Sequence, residues 1–282
     1  MGRKERLEIF EGTRIMCERN ERLKKAIAIS STNQKIYWEG DVIEFGKPRF
    51  TEPAAMILSP KKTVEAAMPY AREGKRTCIL NFASSVAPGG GVVTGAQAQE
   101  ESICRVSTLY FSLSDPETAG RFYDSHWELI REGKMNRRNR DDIIYTPGVV
   151  VLRDDANGET MMEEKDWYQM DVITCAAPDL RRLGDASQFT PASEELRTVH
   201  EIRWRCILAA AARHEADVLI LGAFGCGVFA NPPELVVEAF NSVLPEFRHH
   251  FETIEFAVYS SVPDSQNYRA FAGITDIRKQ TV

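Results

Sequence analysis

The sequence predicts an α/β domain with helices packed on both faces of a sheet. Three observations carry that expectation. Asp217-Val-Leu-Ile-Leu221 is an uninterrupted apolar run, the pattern of a strand covered on both faces. Strand-like runs alternate with segments of helical period along most of the chain. Two glycine-rich stretches, Gly89-Gly90-Gly91 and Gly222 to Gly227, each leave a strand and each precede a helix. They should therefore share one edge of the sheet, where ligands of open α/β folds bind.

Taken in order, residues 3 to 30 read as a charged helical segment with Leu7, Phe10, Ile15, Leu23 and Ile27 as one buried stripe, interrupted near Gly12 and Asn20. Residues 1–34 are assigned to an N-terminal helical cap, and residues 35–282 to the main domain. Lys35 to Trp38 and Ala55 to Leu58 are strand candidates; Thr63 to Glu73 reads as a helix stopped by Gly74. Thr77 to Phe82 is an apolar strand that runs towards the first glycines. A helical pattern follows through Ile103, Val106, Leu109 and Leu113, and a second from Glu117 to Arg131 with Phe122, Trp127 and Ile130 as anchors. The basic run Lys134 to Arg140 reads as a solvated loop, with contact to a polyanion as the alternative. Ile143 to Tyr145 and Val149 to Leu152 form strands around Pro147-Gly148, and Asp171 to Cys175 another. A loop from Asp179 to Pro191 leads to a long helix, Glu194 to His214. After the second glycine loop, Asn231-Pro232-Pro233 supplies a helix start with Asn231 as N-cap. Ile254 to Tyr259 and Asn267 to Ala272 close the chain as strand and helix. Trp127, Trp204 and Phe240 are assigned to the core.

Composition bounds the function. With 282 residues, 43% hydrophobic and 27% charged, the chain has the make-up of a soluble globular protein able to bury a sizeable core. A formal net charge of −6 argues against a dedicated DNA binder, which needs a basic footprint. The N-terminus lacks the apolar region of a signal peptide, and no run approaches the roughly 20 apolar residues of a membrane span. Six scattered cysteines form no C-x-x-C pair and read as reduced thiols. The expected location is the cytoplasm, or also the nucleus in a eukaryote.

The glycine loops narrow the chemistry. Neither fits the P-loop or dinucleotide spacing, so a nucleoside-triphosphate or hydride-transfer site is unsupported. Gly222 to Phe229 still suits an anion, because glycines let successive N–H groups point inward as a nest. The same loop also reads as a plain strand-to-helix connection. Glu100 and Glu101 open the helix after the first loop and point about 100° apart on it, so they divide their roles. Such a pair suits glycosidic-bond chemistry or a divalent metal; it also suits two solvated acids placed by the helix dipole. A general acid needs a raised pKa, so burial would have to outweigh that dipole.

Together these motifs resemble the microbial-type poly(ADP-ribose) glycohydrolases, a branch of the macrodomain fold. Three glycines, seven residues and Gln99-Glu100-Glu101 match the family signature. Asn81-Phe82-Ala83, Ser102 to Arg105, Asp171 to Thr174 with Ala177-Pro178, and Leu221 to Pro232 also look like that family. The resemblance implies a three-layer α/β/α macrodomain-like mixed sheet with an N-terminal helical extension, the catalytic domain being residues 35–282. It implies hydrolysis of ribose–ribose O-glycosidic bonds of poly(ADP-ribose), with Glu101 as catalytic acid and Glu100 on ribose hydroxyls. Gln99 would fix the strand-to-helix corner, Gly89, Gly90 and Gly91 would pass the scissile ribose, and Asn81 would lie near the distal ribose. Gly225, Cys226, Gly227 and Val228 would hold the pyrophosphate through backbone amides, with Phe229 packed on the ligand. No metal and no cofactor is implied. The partners implied are poly(ADP-ribose) or ADP-ribosylated proteins, with ADP-ribose as product and neither DNA nor membrane. A non-catalytic ADP-ribose reader and a mono(ADP-ribosyl) hydrolase are the alternatives, raised by Ser84, where many members have a second asparagine.

Overall fold

The computed structural model describes residues 1–181, 190–260, 262 and 264–280. The expected loop from Asp179 to Pro191 lies mostly outside the described residues. The N-terminal segment forms α1 (Arg3–Arg19) and α2 (Glu21–Thr32). Asn20 separates them as the N-cap of α2, its side chain accepting from Leu23 N–H at 3.1 Å. Gly12 does not break α1; a side chain there would meet Arg153 Nη2 at 2.7 Å. The buried face of α1 is Arg6, Phe10, Thr13 and Cys17, at helical spacing, whereas Ile15 of the expected stripe is exposed.

The next elements are β1 (Lys35–Tyr37), β2 (Ala55–Ser59), α3 (Thr63–Arg72) and β3 (Thr77–Phe82). The helical pattern after the first glycines divides into α4 (Gln99–Val106) and α5 (Leu109–Leu113). Ser107 between them is extended and bridges Val151. A single turn α6 (Pro116–Thr118) continues through a π-helical stretch, Ala119–Asp124, into α7 (Ser125–Arg131). The inward residues of this arm are Phe122, Tyr123 and His126. Trp127, expected in the core, is 49% exposed, because His126 one residue earlier fills the inward position.

β4 (Ile143–Val151) is one strand rather than two, with its register shifted between Thr146 and Val149. Pro147-Gly148 thus marks a bulge, not a break. A small hairpin of β5 (Arg153–Asp154) and β6 (Thr160–Met161) precedes β7 (Tyr168–Cys175). Then come α8 (Ser193–Arg213), β8 (Val218–Leu221), α9 (Pro233–Val243), β9 (Thr253–Ala257), α10 (Gln266–Phe271) and β10 (Arg278–Lys279).

Among the described residues, eight strands form one mixed sheet in the order β1-β4-β7-β3-β8-β9-β2-β10. The β1/β4 and β4/β7 pairs are antiparallel and the rest parallel. The two-residue strand period splits the core. Cys78, Leu80, Leu219 and Leu221 face Trp204, Ile207 and Phe240 of α8 and α9, while Ile79, Val218 and Ile220 face α3, α4 and α5. Helices on both faces of a mixed sheet make the three-layer α/β/α arrangement. No helix among the described residues is long and apolar enough to cross a membrane.

This topology sets the site. β3 pairs with β8 only from Thr77 to Ile79, whereas its pairing with β7 continues to Phe82. Beyond Ile79 the β8 side of β3 is open, and both glycine loops leave the sheet at that edge.

Candidate active site

Gln99 fills the edge that β8 vacates. Its Oε1 accepts from Phe82 N–H at 2.8 Å and its Nε2 donates to Leu80 O at 2.7 Å, as a neighbouring strand would. Nε2 also reaches Thr63 Oγ1 at 3.1 Å, which ties the start of α3 to the same corner. The first residue of α4 is thereby fixed to the end of β3, and the acids that follow inherit that position.

Although their Cα–Cβ bonds diverge, Glu100 and Glu101 bring their carboxyl groups to the same place. A Cβ on Gly90 would lie 2.6 Å from Glu101 Oε1 and 2.8 Å from Glu100 Oε2. Gly90 has φ +58°, a left-handed conformation that favours glycine. Glu101 accepts from Gly91 N–H at 2.8 Å on one oxygen and from Ala98 N–H at 2.8 Å on the other. The second bond is the N3-to-N-cap arm of a capping box, so this acid also helps to start α4. Glu100 accepts from Ser84 N–H at 2.7 Å and from Asn81 Nδ2 at 3.3 Å.

Both acids are buried, with 2% of Glu100 and 7% of Glu101 exposed. Burial pushes the Glu100 carboxyl up to about 8; the Ser84 and Asn81 hydrogen bonds oppose this, and the neighbouring Glu101 charge adds to it. Asn81 donates also to Thr174 Oγ1 at 3.2 Å, and its Oδ1 is buried without a hydrogen-bond partner among the described residues. An orphaned acceptor beside two carboxyl groups suits a ligand hydroxyl. Ser84 Oγ turns back on its own loop and accepts from Val86 N–H at 3.3 Å and Ala87 N–H at 3.1 Å.

The second loop leaves β8 beside the same strand end, with the Phe224 ring 5.8 Å from that of Phe82. Asn231 is not the N-cap of α9, a position that Pro232 takes. Its side chain instead turns inward, donating to Pro178 O at 2.7 Å and Gly225 O at 3.0 Å while accepting from His200 Nε2 at 2.9 Å. Burial holds His200 down at about 4, so the ring is neutral and donates through Nε2. Gly225 has φ +74°, and a Cβ there would meet Ala177 Cβ and Asn231 Nδ2, both at 2.6 Å. Cys226 is half-buried, its thiol pushed up to about 12 by burial, which keeps it in the thiol form at neutral pH. Gly227 and Val228 are exposed, and Phe229 is half-buried with the Arg181 guanidinium 5.2 Å over its ring.

Residues 4–154 match the family described as microbial-type PARG, catalytic domain. The chain belongs to this family. Among solved structures it is similar to the poly(ADP-ribose) glycohydrolase of Thermomonospora curvata, at 31% identity over 95% of this chain and 98% of that one, with a TM-score of 0.80. The form of that protein bound to the inhibitor ADP-HPD gives 30% identity, the same coverage of 95% and 98%, and a TM-score of 0.77. A poly(ADP-ribose) glycohydrolase from Deinococcus radiodurans in complex with ADP-ribose gives 29%, 87% and 94%, with a TM-score of 0.70. A comparison with curated proteins returns no match. The three-layer sheet is thus a macrodomain-like fold of glycohydrolase type.

The structure brings Asn81, Gly89, Gly90, Gly91, Gln99, Glu100 and Glu101 into one cluster, with Gly225 to Phe229 on the neighbouring loop. Sequence reasoning missed the residues that hold these in place. Asn231 read as a helix cap, His200 lay within an amphipathic helix, and His126 stands 41 residues from the Ser85 carbonyl it meets at 2.8 Å. The basic run is a loop, as expected, but its arginines are paired rather than solvated. Arg137 pairs with Asp179, Arg138 with Glu39 and Asp141, and Arg140 with Glu39 and Asp142. These charges knit the loop to the domain. Among the described residues, no group of three or more His, Cys, Asp or Glu side chains is placed to hold a metal ion.

Proposed function

We propose that this glycosidase cuts the ribose–ribose O-glycosidic bonds of poly(ADP-ribose) and releases ADP-ribose, with Glu101 as the general acid. The convergence of both carboxyl groups on the Cβ-less Gly90 carries the reading, because a ribose drawn over that glycine meets both at once. Glu101 is held by two backbone N–H groups, yet each oxygen keeps a second lone pair on which the proton can sit. It gives that proton to the leaving ribose oxygen as the C–O bond breaks and the anomeric centre becomes oxocarbenium-like. Water then adds to that carbon, and the proton it sheds restores Glu101. Glu100, pushed up to about 8 by burial, carries a proton at neutral pH and orients ribose hydroxyls together with Asn81. The amides of Gly225 to Phe229 take the pyrophosphate, and Phe229 packs on the ligand.

One observation favours a second reading, with Glu100 as the acid: it is the deeper of the two carboxyl groups and the one that burial keeps protonated. Automodified polymer, assayed for ADP-ribose release with Glu101→Gln and Glu100→Gln, separates the two. The expected outcome is a loss of ~10²–10⁴ in rate for Glu101→Gln with ADP-ribose binding retained. A deeper loss for Glu100→Gln reassigns the acid, and intact polymer at high wild-type excess leaves a reader. A singly modified protein assayed beside the polymer tells a mono(ADP-ribosyl) hydrolase from a polymer-cutting enzyme.

The substrates on this reading are poly(ADP-ribose) or ADP-ribosylated proteins. Six free thiols support a reducing location, the cytoplasm. Residues 1–34 are assigned as a cap that also serves the site. Arg6 donates to Gly95 O at 2.9 Å and Gln97 Oε1 at 2.9 Å, and Arg3 to Thr94 O at 2.8 Å, in the link between the glycines and the acids.

A further inference from the structure

The segment Ser84 to Ala87, which delivers the chain into the first glycine loop, is gripped from outside by α7. His126 Nδ1 lies 2.8 Å from Ser85 O, and Trp127 Nε1–H donates to Val86 O at 3.0 Å. Two successive residues of one helix thus hold two successive carbonyl groups of an irregular loop. One residue earlier, Ser84 N–H donates to Glu100 at 2.7 Å. One side chain further, Ser85 Oγ donates to Asn139 Oδ1 at 2.8 Å, and Asn139 Nδ2 donates to Ala177 O at 2.7 Å.

The other ring nitrogen of His126 meets Asp142 Oδ2 at 2.8 Å. A carbonyl and an ionised carboxylate are both acceptors, so the ring donates from both nitrogens. Asp142 is suited to that: burial would raise its carboxyl, but the hydrogen bonds from His126 and Glu39 N–H, with the Arg140 charge, outweigh burial and hold it below the usual range. The ring is buried and packs 4.4 Å from Phe122. A buried donor satisfied on both sides is costly to disturb, which makes it a fixed point for the loop.

We propose that His126 is a positioning residue: anchored on Asp142, it fixes the Ser84–Val86 segment so that Ser84 N–H holds the Glu100 carboxyl group at the substrate ribose. This rests on the glycohydrolase reading above. The groups facing Glu100 are Glu101 and Cys104 of α4 and Tyr123 of the π-helical stretch. Asp142, with Arg140 behind it, faces His126.

His126→Gln tests this, because its amide reaches one acceptor with N–H and turns its oxygen on the other. We expect kcat on polymer to fall ~10- to 100-fold, the scale of an ångström-level misplacement. Hydrogen exchange should rise across residues 84–91. The alkaline limb of the pH–rate profile should move upward, since Glu100 loses a hydrogen bond that favours its charged form. In the double variant His126→Gln/Asp142→Asn the amide introduced at position 142 can donate to the amide oxygen introduced at position 126, while Arg140 gives up its bond to position 142 and keeps its pair with Glu39, and part of the rate should return. Trp127→Phe, which keeps the packing and drops one N–H, should shift exchange in the same segment more mildly. Turnover by wild type with an unmoved limb and unchanged exchange in His126→Gln overturns the inference. So does a rate loss across all three variants that simply follows melting temperature. No turnover by wild type overturns the glycohydrolase reading itself, and the exchange result still reports on the clamp.

Discussion

The two glycine loops leave the same sheet edge but are built in opposite ways. Gly89 to Gly91 is held from every side: the Glu101 carboxyl group on the Gly91 amide, Arg3 and Arg6 of α1 on the link behind it, and α7 on the segment before it. Gly225 to Phe229 is secured at its ends by Asn231, while a Cβ on Gly227 would meet nothing within 4 Å among the described residues and Val228 is 58% exposed. Each loop has a buried histidine behind it, His126 donating twice and His200 donating once through Asn231. The difference fits a division of labour. Atoms that take part in bond breaking need fixed positions, whereas a pyrophosphate carried on backbone amides tolerates a loop that adjusts.

The sharpest way to break that comparison is Gly90→Ala. The new Cβ would stand 2.6 Å and 2.8 Å from the two carboxyl groups, in a left-handed backbone at φ +58°. Left-handed backbone alone costs an ordinary residue ~1–2 kcal/mol, and displaced carboxyl groups cost rate besides. ADP-ribose release should fall ~100-fold or more. A near-wild-type rate would show that the first loop does not set the acids.

Asn231→Ala addresses the other loop. It leaves His200 Nε2 and Pro178 O without their partner, while Gly225 O keeps the backbone N–H of residue 231, a penalty of roughly 2–3 kcal/mol in unfolding free energy. Calorimetric ADP-ribose affinity should weaken, while kcat at saturating polymer stays within about threefold, as the proposed split between a pyrophosphate loop and a reacting pair requires. A drop in kcat with unchanged affinity would erase the distinction between the loops.

The fold was legible in the sequence where one physical pattern sufficed. The apolar runs at Thr77–Phe82 and Val218–Leu221 announced central strands, and the spacing from Gly89 to Glu101 placed the acids. Legibility ended where a side chain's role depends on a distant partner. Asn231 before two prolines has the local pattern of a cap, and only the buried His200 turns it inward. Trp127 among apolar residues reads as core, until the Val86 carbonyl claims its N–H at the surface. A π-helical stretch and a bulge at Gly148 likewise depend on tertiary packing, which no local period encodes.

The loops should also answer pH in opposite senses. Glu100 titrates near 8 in the folded chain against an ordinary 4.5, so its contribution is complete at low pH and is lost as pH rises from 4.5 through about 8. His200 titrates near 4 against 6.5, so its contribution is complete above 6.5 and is lost as pH falls towards 4. Each group tilts stability by at most ~1.4 kcal/mol per pH unit within its window. Urea unfolding from about pH 4 to about pH 9, a range that spans both windows, should show a plateau flanked by two declines, and Glu100→Gln should flatten the alkaline one. An unaltered alkaline decline in that variant would assign it to another group.

The smallest effect belongs to Gly227→Ala. Its φ is not in the left-handed region, and a methyl group there points into open space. Folding stability should therefore stay within ~0.5 kcal/mol of wild type, as for an exposed site with no special geometry. Glycine at this position is then explained by ligand approach rather than by folding, since a backbone that carries a methyl group cannot come as close to a pyrophosphate. ADP-ribose affinity should drop by up to ~5-fold, about 1 kcal/mol at most, with kcat unchanged. If affinity and stability are both untouched, the ligand passes the loop at Gly225 and Cys226 instead. If stability falls, the second loop is as tightly constrained as the first, and the contrast between them disappears.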